Sequence, residues 1–389
     1  GARFTSGLLD LDHLHLGATL ESRLAVLRQQ REHLPASWRA AVSDVRQLLE
    51  DVRLEVEEFE RTVPHDPLYR AEEEASLFEG LRARWGATYY ASLATLHEQS
   101  SSLSDDVVPL ARSYASSALM PLLLACPMHR RAYEKPLGYA GDFRMMELYF
   151  TRDLSGVGLF GRFLHSVAQG YSLAAAVVAR EAVMREAVVE ALRADHHGPV
   201  RVLSLASGPA IELRRLLGEL KSLERPVDLI LLDQDEGALD RAHRRLARLL
   251  VEQHKDQLPV TLQCLHFSVR QLLKPETAEE KLVRYVMLQN LDLVYSAGLY
   301  DYLTDPVASR LTEVLYSRLR PGGRLLLGNL VETPDTTWIM EYVLGWHLVY
   351  RSEPSFLRLA NGLKPAPARC AITRDWTERC LFLDVTIPS

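Results

Sequence analysis

Residues 200–210 have the sequence VRVLSLASGPA, and this stretch decides the fold class. An apolar run from Val200 to Leu205 leads into a turn of small residues from Ala206 to Ala210, and a helical pattern follows. A buried strand that ends in a small-residue turn lets a ligand approach the backbone and points amide N–H groups at it. The stretch therefore predicts a strand, a ligand-binding turn and a helix, in that order.

Four similar apolar runs lie further along the chain, at residues 227–232, 260–265, 291–295 and 323–327. Helical patterns lie between most of them, at about 210–220, 236–253 and 306–319. Continuous apolar strands that alternate with helices are typical of a parallel sheet covered on both faces. Two more helices are expected near 336–345 and 354–361. The last two strands, near 368–373 and 380–387, are close enough in sequence to pair as an antiparallel hairpin.

Upstream of this half, residues 18–150 predict helices joined by short loops. Val42, Val45, Leu49, Val52 and Val56 form an apolar stripe at helical spacing, and almost no strand pattern occurs. One long helix is expected over about 160–194. We therefore expect an all-helical N-terminal region at 1–155 that covers the substrate side, and a sheet domain at 156–389.

Composition limits the function classes. The chain has 389 residues, of which 47% are hydrophobic and 25% charged, with a net charge of -6. These values suit a globular protein of two domains, and they lack the excess of basic residues that is typical of nucleic-acid-binding proteins. The four cysteines lack metal-ligand or disulfide-scaffold spacing, and the apolar runs are too short to span a bilayer. We expect a cytoplasmic monomer or homodimer, without bound metal, nucleic acid or membrane insertion.

In an open α/β sheet the ligand lies beyond the carboxyl ends of the strands, at the point where the strand order reverses. Strand two ends in Asp233, placed to accept hydrogen bonds from two ribose hydroxyls, although an acid there also serves as a helix cap. Residues after strand three lie at the same edge, where the small polar Ser268 stands beside apolar neighbours that could pack against a ring such as adenine. The predicted nucleoside-binding residues are Ala206, Ser207, Gly208, Pro209, Asp233, Gln234, Phe267, Ser268, Ser296 and Gly298.

Several of these segments resemble class I S-adenosylmethionine (SAM)-dependent methyltransferases. Residues 202–208 look like the first motif of that family, 231–235 like the second, and 319–325 like the turn into strand five. The resemblance covers about residues 160–389 and implies a Rossmann-like, seven-stranded, mostly parallel sheet and SAM as the cofactor. Ser204 stands where an acid is usual, which leaves the amino group of SAM needing another partner. Ala206 and Ala210 replace glycines, which disfavours a dinucleotide dehydrogenase because its pyrophosphate needs the glycine-rich turn.

A narrower resemblance covers residues 115–389. The loop 135–143, the segment 298–303 and the segment 341–351 look like a bacterial family that includes methyltransferases making hydroxy-fatty-acid methyl ester quorum signals. Members of that family need not share a substrate. The resemblance implies a role in small-molecule biosynthesis.

The expected reaction is methyl transfer to a small molecule at a carboxylate, hydroxyl or amine, of which the last two need a general base. The predicted catalytic residues are Tyr139, Asp142, Tyr300, Glu341 and Arg351, with Asp301 a further candidate base and Arg144 a second arginine for an anionic substrate group. Each has a structural alternative: Asp142 as a helix cap, the tyrosines and the 341–351 segment as packing. Two other functions stay open, a non-catalytic SAM- or nucleoside-binding protein and an aminopropyl transferase.

Overall fold

The computed structural model describes residues 20–30, 32–62, 67–151, 154–194, 198–252 and 258–389. Contacts divide the chain into two compact units. The helical unit contains the described residues up to Tyr133, together with Ser155–His165 and Pro334–Gly345. The sheet unit contains Glu134–Leu154, Ser166–Thr333 and Trp346–Ser389. Residues 134–154, which lie before the predicted boundary at 155, therefore belong to the sheet unit.

The N-terminal part is helical, as the apolar stripe predicts. Its helices are α1 (20–30), α2 (Ala36–Thr62), α3 (Pro67–Leu81), α4 (Ala87–Ser100), α5 (Val108–Leu123) and α6 (Pro127–Glu134), with a π-helical turn at Arg82–Gly86. The stripe of α2 is buried from Val42 to Val56. Trp38 Nε1 and Trp338 Nε1 both donate to Ser100 Oγ, at 2.8 and 2.9 Å, and this shared acceptor satisfies two buried indoles.

The sheet has seven strands in the order β3-β2-β1-β4-β5-β7-β6. They are β1 (Val200–Leu205), β2 (Val227–Asp233), β3 (Val260–His266), β4 (Leu291–Ser296), β5 (Leu319–Leu330), β6 (Arg369–Arg374) and β7 (Cys380–Thr386). Strands β1 to β5 pair in parallel, whereas β7 pairs antiparallel with both β5 and β6. The predicted seven-stranded, mostly parallel sheet with a C-terminal antiparallel hairpin is confirmed. The strand order reverses between β1 and β4, so the crevice expected at their carboxyl ends has a defined place.

Helices connect and cover the strands. They are α7 (Phe143–Phe150), α8 (Gly158–Gln169), α9 (Ser172–Arg193), α10 (Ile211–Glu219), α11 (Glu236–Glu252), α12 (Val269–Leu273), α13 (Ala278–Leu282), α14 (Asp305–Tyr316), α15 (Pro334–Trp338) and α16 (Glu353–Leu357). Single turns of 3₁₀- or π-helix lie at Val283–Met287, Tyr300–Tyr302, Ile339–Val343 and Arg358–Ala360. The six residues of β4 are all buried, so its apolar residues do not alternate with exposed polar ones. The buried Asp292 accepts a hydrogen bond from Arg201 N at 2.7 Å.

One helix prediction was wrong. The single helix expected over 160–194 is two helices, α8 and α9, separated at Gly170 and Tyr171. Tyr171 has an extended backbone (φ -60°, ψ 146°), which ends the helical hydrogen-bond ladder. Gly170, directly before it, is a poor helix former and marks this break in the sequence.

Two features are absent from the part of the chain that the structure describes. None of the helices there has the length and apolar character needed to cross a membrane. Within the same ranges, no group of three or more His, Cys, Asp or Glu side chains has an arrangement suited to a metal ion.

Candidate functional site

A cavity of about 940 Å³ lies within the sheet unit, at the carboxyl ends of β1, β2 and β4. Its walls come from segments within residues 137–150, 177–184, 205–212, 232–237, 267–269 and 297–302, together with Leu330, Trp346 and Leu348. A volume of this size falls in the range of small-molecule and cofactor sites. The strand topology therefore produces a cavity where the sequence predicts the ligand.

The turn after β1 is strained in a manner that suits ligand binding. Ala206, Gly208 and Ala210 all adopt the left-handed backbone conformation, with φ of 52°, 51° and 46°. For an alanine this conformation costs roughly 1–2 kcal/mol, so the two alanines keep a backbone that glycine would adopt without strain. Ser207 N donates to Leu232 O at 3.2 Å and holds the turn against β2. Ala206, Ser207, Gly208 and Pro209 all line the cavity.

Asp233 closes the turn from the end of β2. Its Oδ2 accepts from Gly208 N at 2.8 Å and its Oδ1 accepts from Asp235 N at 2.9 Å, with the residue only 6% exposed. Burial raises the pKa of Asp233, and the amide hydrogen bonds oppose that rise. A carboxylate offers about four lone-pair sites, so these two bonds leave capacity for a vicinal diol. Gln234, the next residue, also lines the cavity.

The wall after β3 is fixed by a capping box. Ser268 Oγ accepts from Gln271 N at 3.3 Å, and Ser268 N donates to Gln271 Oε1 at 2.9 Å at the start of α12. Phe267 N donates to Asp233 O at 2.9 Å, which joins this wall to the end of β2. Phe267 and Ser268 both line the cavity, beside Val269.

After β4, the backbone at Gly298 lies directly against the side chain of Arg180. A Cβ added to Gly298 would lie 2.9 Å from Arg180 Nη2, so the guanidinium packs directly on this glycine. Asp301 accepts from Leu330 N at 2.7 Å, and burial raises the pKa of its carboxyl to about 6. Gly298 and Asp301 line the cavity. Ser296 is fully buried and is not among the described lining residues.

The loop before α7 forms another wall. Gly138 and Tyr139 line the cavity, and Gly141 packs so closely that an added Cβ would lie 2.2 Å from Tyr302 Oη. Trp346 Nε1 donates to the same Tyr302 Oη at 3.0 Å. The loop backbone therefore packs against two aromatic side chains that are hydrogen-bonded to each other.

Of the predicted catalytic residues, only Tyr139 is among the described residues that line the cavity. Asp142 is buried, and its Oδ1 accepts from Met145 N at 2.9 Å, so it acts as the cap of α7. Tyr300 is buried in the core, with its hydroxyl 3.0 Å from Thr312 Oγ1. Composition cannot separate these roles, because each depends on which way the side chain faces.

The remaining candidates also have structural partners. Arg351, 4% exposed, donates to Tyr300 O at 2.7 Å, to Asn329 Oδ1 at 2.5 Å and to Asp305 Oδ1 at 3.0 Å. It ties the segment after β4 to β5. Glu341 lies in the helical unit, with its Oε2 3.8 Å from Arg112 Nη2. Arg144 pairs with Glu147 at 3.4 Å.

Sequence reasoning missed five charged residues that line the cavity. Asp235 and Glu236 closely follow the predicted end of β2, whereas Arg180, Glu181 and Glu212 lie on α9 and α10. Glu212 Oε1 accepts from Tyr295 Oη at 2.7 Å, and burial raises the pKa of Glu212 to about 7. Glu181 forms ion pairs with Arg215 and with Arg185, the latter at 3.5 Å. The signal for two of them was a charged pair, Arg180-Glu181, inside an otherwise apolar stretch of helix.

Glu212 is expected to make the ligand-free protein less stable as the pH rises. The folded state keeps the proton up to a pKa of about 7, whereas the unfolded carboxyl loses it near the ordinary value of 4.5. The contribution of Glu212 to the free energy of unfolding is thus fully present below pH 4.5 and is lost as the pH rises through 7. The loss is roughly 3 kcal/mol. Urea unfolding of the wild type and Glu212→Gln at several pH values measures it, and equal pH slopes would contradict the assignment.

No protein-family model matches the sequence. No curated protein matches it either. Solved structures give similarities at low identity. A possible exported protein from Bordetella parapertussis is 18% identical, with 72% of this chain and 86% of that chain covered and a TM-score of 0.47.

Two further solved structures are named as methyltransferases. Magnesium protoporphyrin IX methyltransferase from Synechocystis PCC 6803, with bound S-adenosylhomocysteine (SAH), is 12% identical over 67% of this chain and 97% of that chain, with a TM-score of 0.42. The N-methyltransferase NodS from Bradyrhizobium japonicum WM9 is 16% identical over 54% of this chain and 97% of that chain, with a TM-score of 0.34. The functional assignment therefore rests on the residues of this site.

Proposed function

We propose that the chain is a SAM-dependent methyltransferase that acts on a small molecule. The observation that carries this proposal is the cavity at the switch point of the sheet, in which the left-handed turn at Gly208 and the buried carboxylate of Asp233 meet through a 2.8 Å hydrogen bond. This pairing presents small backbone groups and a diol acceptor side by side. It suits the ribose and the linked chain of an adenosyl ligand.

The charges of the cavity favour SAM over a dinucleotide. Among the described lining residues one side chain is basic, Arg180, against six carboxyl side chains, those of Glu181, Glu212, Asp233, Asp235, Glu236 and Asp301. SAM carries a sulfonium, an amino group and one carboxylate, hence a net positive charge, whereas a dinucleotide brings a negatively charged pyrophosphate. The turn also lacks the glycines that a pyrophosphate requires.

SAM supplies an electrophilic methyl group on sulfur. The chain has to align the acceptor with that methyl group and to exclude water, and good alignment alone is worth roughly 7–11 kcal/mol. Gly138, Tyr139 and Gly141 line the cavity, which supports the proposal that this loop limits access to it. A carboxylate acceptor needs no base. For a hydroxyl or amine, Asp301 is the candidate base, because it lines the cavity and burial raises its pKa to about 6.

The acceptor is proposed to be a small molecule with an apolar part. Several lining residues are apolar, among them Met146, Phe150, Val177, Met184 and Leu348. A hydroxy-fatty-acid carboxylate, which the narrower resemblance implies, fits this lining and stays a prediction. The same holds for the cytoplasmic location and for the cover that residues 1–155 are expected to give the substrate side.

Transfer of label from methyl-labelled SAM tests the enzyme proposal. The full chain is incubated with labelled SAM and a small-molecule extract, including hydroxy fatty acids, and the label is followed into low-mass products. We expect a methylated product and SAH in equal amounts. SAH binding without any product indicates a non-catalytic binding protein, and turnover only with decarboxylated SAM and a polyamine indicates an aminopropyl transferase.

A further inference from the structure

The strand residue at which the resemblance places an acid is Ser204, and its neighbour across the sheet is Tyr295 of β4. Tyr295 is buried, and its hydroxyl donates to Glu212 Oε1 at 2.7 Å. Glu212 belongs to the first turn of α10, directly after the Gly208 turn, and lines the cavity. A carboxyl group that β1 lacks is thus present on the following helix, where a residue of β4 hydrogen-bonds to it.

Arg180 provides the opposite charge at the same cavity. The residue is 8% exposed, and its Nη1 has no hydrogen-bond partner among the described residues. The carboxylate of Asp301 is 3.6 Å from Nη1, which is an ion pair without a hydrogen bond. A buried guanidinium with an unused N–H is costly unless a ligand supplies an acceptor. Its position on the Gly298 backbone points to an anionic group bound there.

Glu212 and Arg180 are also close enough to influence each other. The positive charge of Arg180 lowers the pKa of Glu212, although burial, which raises it, is the larger effect. An α-amino acid group carries an ammonium and a carboxylate on one carbon. A carboxylate and a guanidinium that line one end of a cavity are complementary to such a zwitterion.

We propose that Glu212 binds the α-amino group and Arg180 the α-carboxylate of the methionine end of the donor, with Tyr295 as a positioning residue for Glu212. This inference rests on the proposed function. Glu181 lines the same region and hydrogen-bonds to Arg215, while its Oε1 lies 3.5 Å from Arg185 without a hydrogen bond among the described residues. Its charge is already balanced by two arginines, so Glu212 is the better partner for an ammonium group. The donor would therefore be fixed at its ribose by Asp233 and at its amino acid end by Glu212 and Arg180.

The test compares two ligands that differ at the amino acid end. SAH has the α-amino and α-carboxylate groups, whereas 5′-methylthioadenosine keeps the nucleoside and the sulfur but lacks both. Calorimetric titration of the full chain is expected to show that Glu212→Gln and Arg180→Gln each weaken SAH binding about tenfold or more. Both variants should leave the affinity for 5′-methylthioadenosine within about twofold of the wild-type value.

Glu219→Gln, at the other end of α10 and outside the cavity lining, is the matched control and should alter neither affinity. Should Glu212→Gln fail to fold, Tyr295→Phe replaces it. Loss of the hydroxyl removes a hydrogen bond that favours the charged carboxylate, so SAH binding should fall several-fold and 5′-methylthioadenosine binding should not.

Substitutions that weaken the binding of both ligands equally, or of neither, would overturn this inference. If the wild type still binds SAH, the proposed function is unaffected by that result. A wild-type chain that binds neither ligand would overturn both. Decarboxylated SAM separates the two charged residues: Arg180→Gln should not weaken its binding, and Glu212→Gln should.

Discussion

Replacing Asp233 with asparagine is expected to weaken the binding of SAH by about tenfold or more. Hydrogen bonds to a charged acceptor are worth about 1.5–3 kcal/mol each, and about 1.4 kcal/mol corresponds to a tenfold change in affinity. The substitution removes the charge that two ribose hydroxyls would share. It also places an amide NH₂ near Gly208 N or Asp235 N, which are already donors to this side chain. Calorimetric titration of the full chain with SAH measures the effect.

Asp240→Asn is the matched control, because Asp240 is exposed on α11, pairs with Arg244 and is not among the described lining residues. It should bind SAH like the wild type. Thermal unfolding of both variants shows whether the sheet unit is still folded. A folded Asp233→Asn protein with unchanged affinity would remove Asp233 from the donor site.

Gly141→Ala is expected to lower turnover by about tenfold or more and to change SAH affinity much less. The new Cβ would lie 2.2 Å from Tyr302 Oη and 3.1 Å from the Trp346 ring, so the loop that carries Tyr139 has to shift. Displacement of an access-limiting loop by about an ångström is enough to misalign the acceptor. Initial rates with saturating SAM, beside titration with SAH, separate the two effects.

Tyr302→Phe provides the control for this displacement. Removing the hydroxyl leaves the Tyr302 ring carbon at 3.4 Å from the new Cβ, which is ordinary van der Waals contact, while the tighter contact with the Trp346 ring at 3.1 Å remains. The double variant Gly141→Ala/Tyr302→Phe should therefore recover part of the turnover. If turnover does not recover in the double variant while Tyr302→Phe alone is active, the contact between Gly141 and Tyr302 does not position the loop.

The sheet could be predicted from the sequence because strands that are buried on both faces are runs of mainly apolar residues, which can be recognised directly. A strand such as Leu291–Ser296, buried along its whole length, has mainly apolar residues that do not alternate with exposed polar ones, and each such run ends where the chain leaves the sheet. The turn at Gly208 and the acid at Asp233 follow from this, since a strand end also fixes which edge of the sheet a residue occupies. All the predicted residues in these two segments line the cavity.

The orientation of the catalytic candidates could not be predicted from the sequence. Tyr300 and Tyr302 are two residues apart in a single 3₁₀-helical turn, yet Tyr300 is buried against Thr312 while Tyr302 lines the cavity. Residue type does not determine which side chain of a short turn faces the core and which faces the cavity. Packing of the turn against β5 and α14 determines it. Arg351 could not be separated from a substrate-binding arginine either, because its acceptors Tyr300 O and Asn329 Oδ1 come from distant segments.

Arg180 and Glu212 were missed for a related reason. The resemblance draws attention to strand ends, whereas Arg180 lies in the middle of α9 and Glu212 in the first turn of α10. Their relation to the cavity depends on how these helices pack against β1 and β4. The hydrogen bond between Tyr295 and Glu212 joins residues 83 positions apart. A contact of that separation leaves no periodic pattern in the sequence.

Titration of the full chain with SAH, in the absence and presence of NAD⁺, tests most directly whether the cavity is an adenosyl-donor site. The geometry at Gly208 and Asp233 and the acid-rich lining predict one saturable SAH site per chain, whose affinity a large excess of NAD⁺ does not change. Absence of saturable SAH binding, or displacement of SAH by NAD⁺ at comparable concentration, would contradict the assignment.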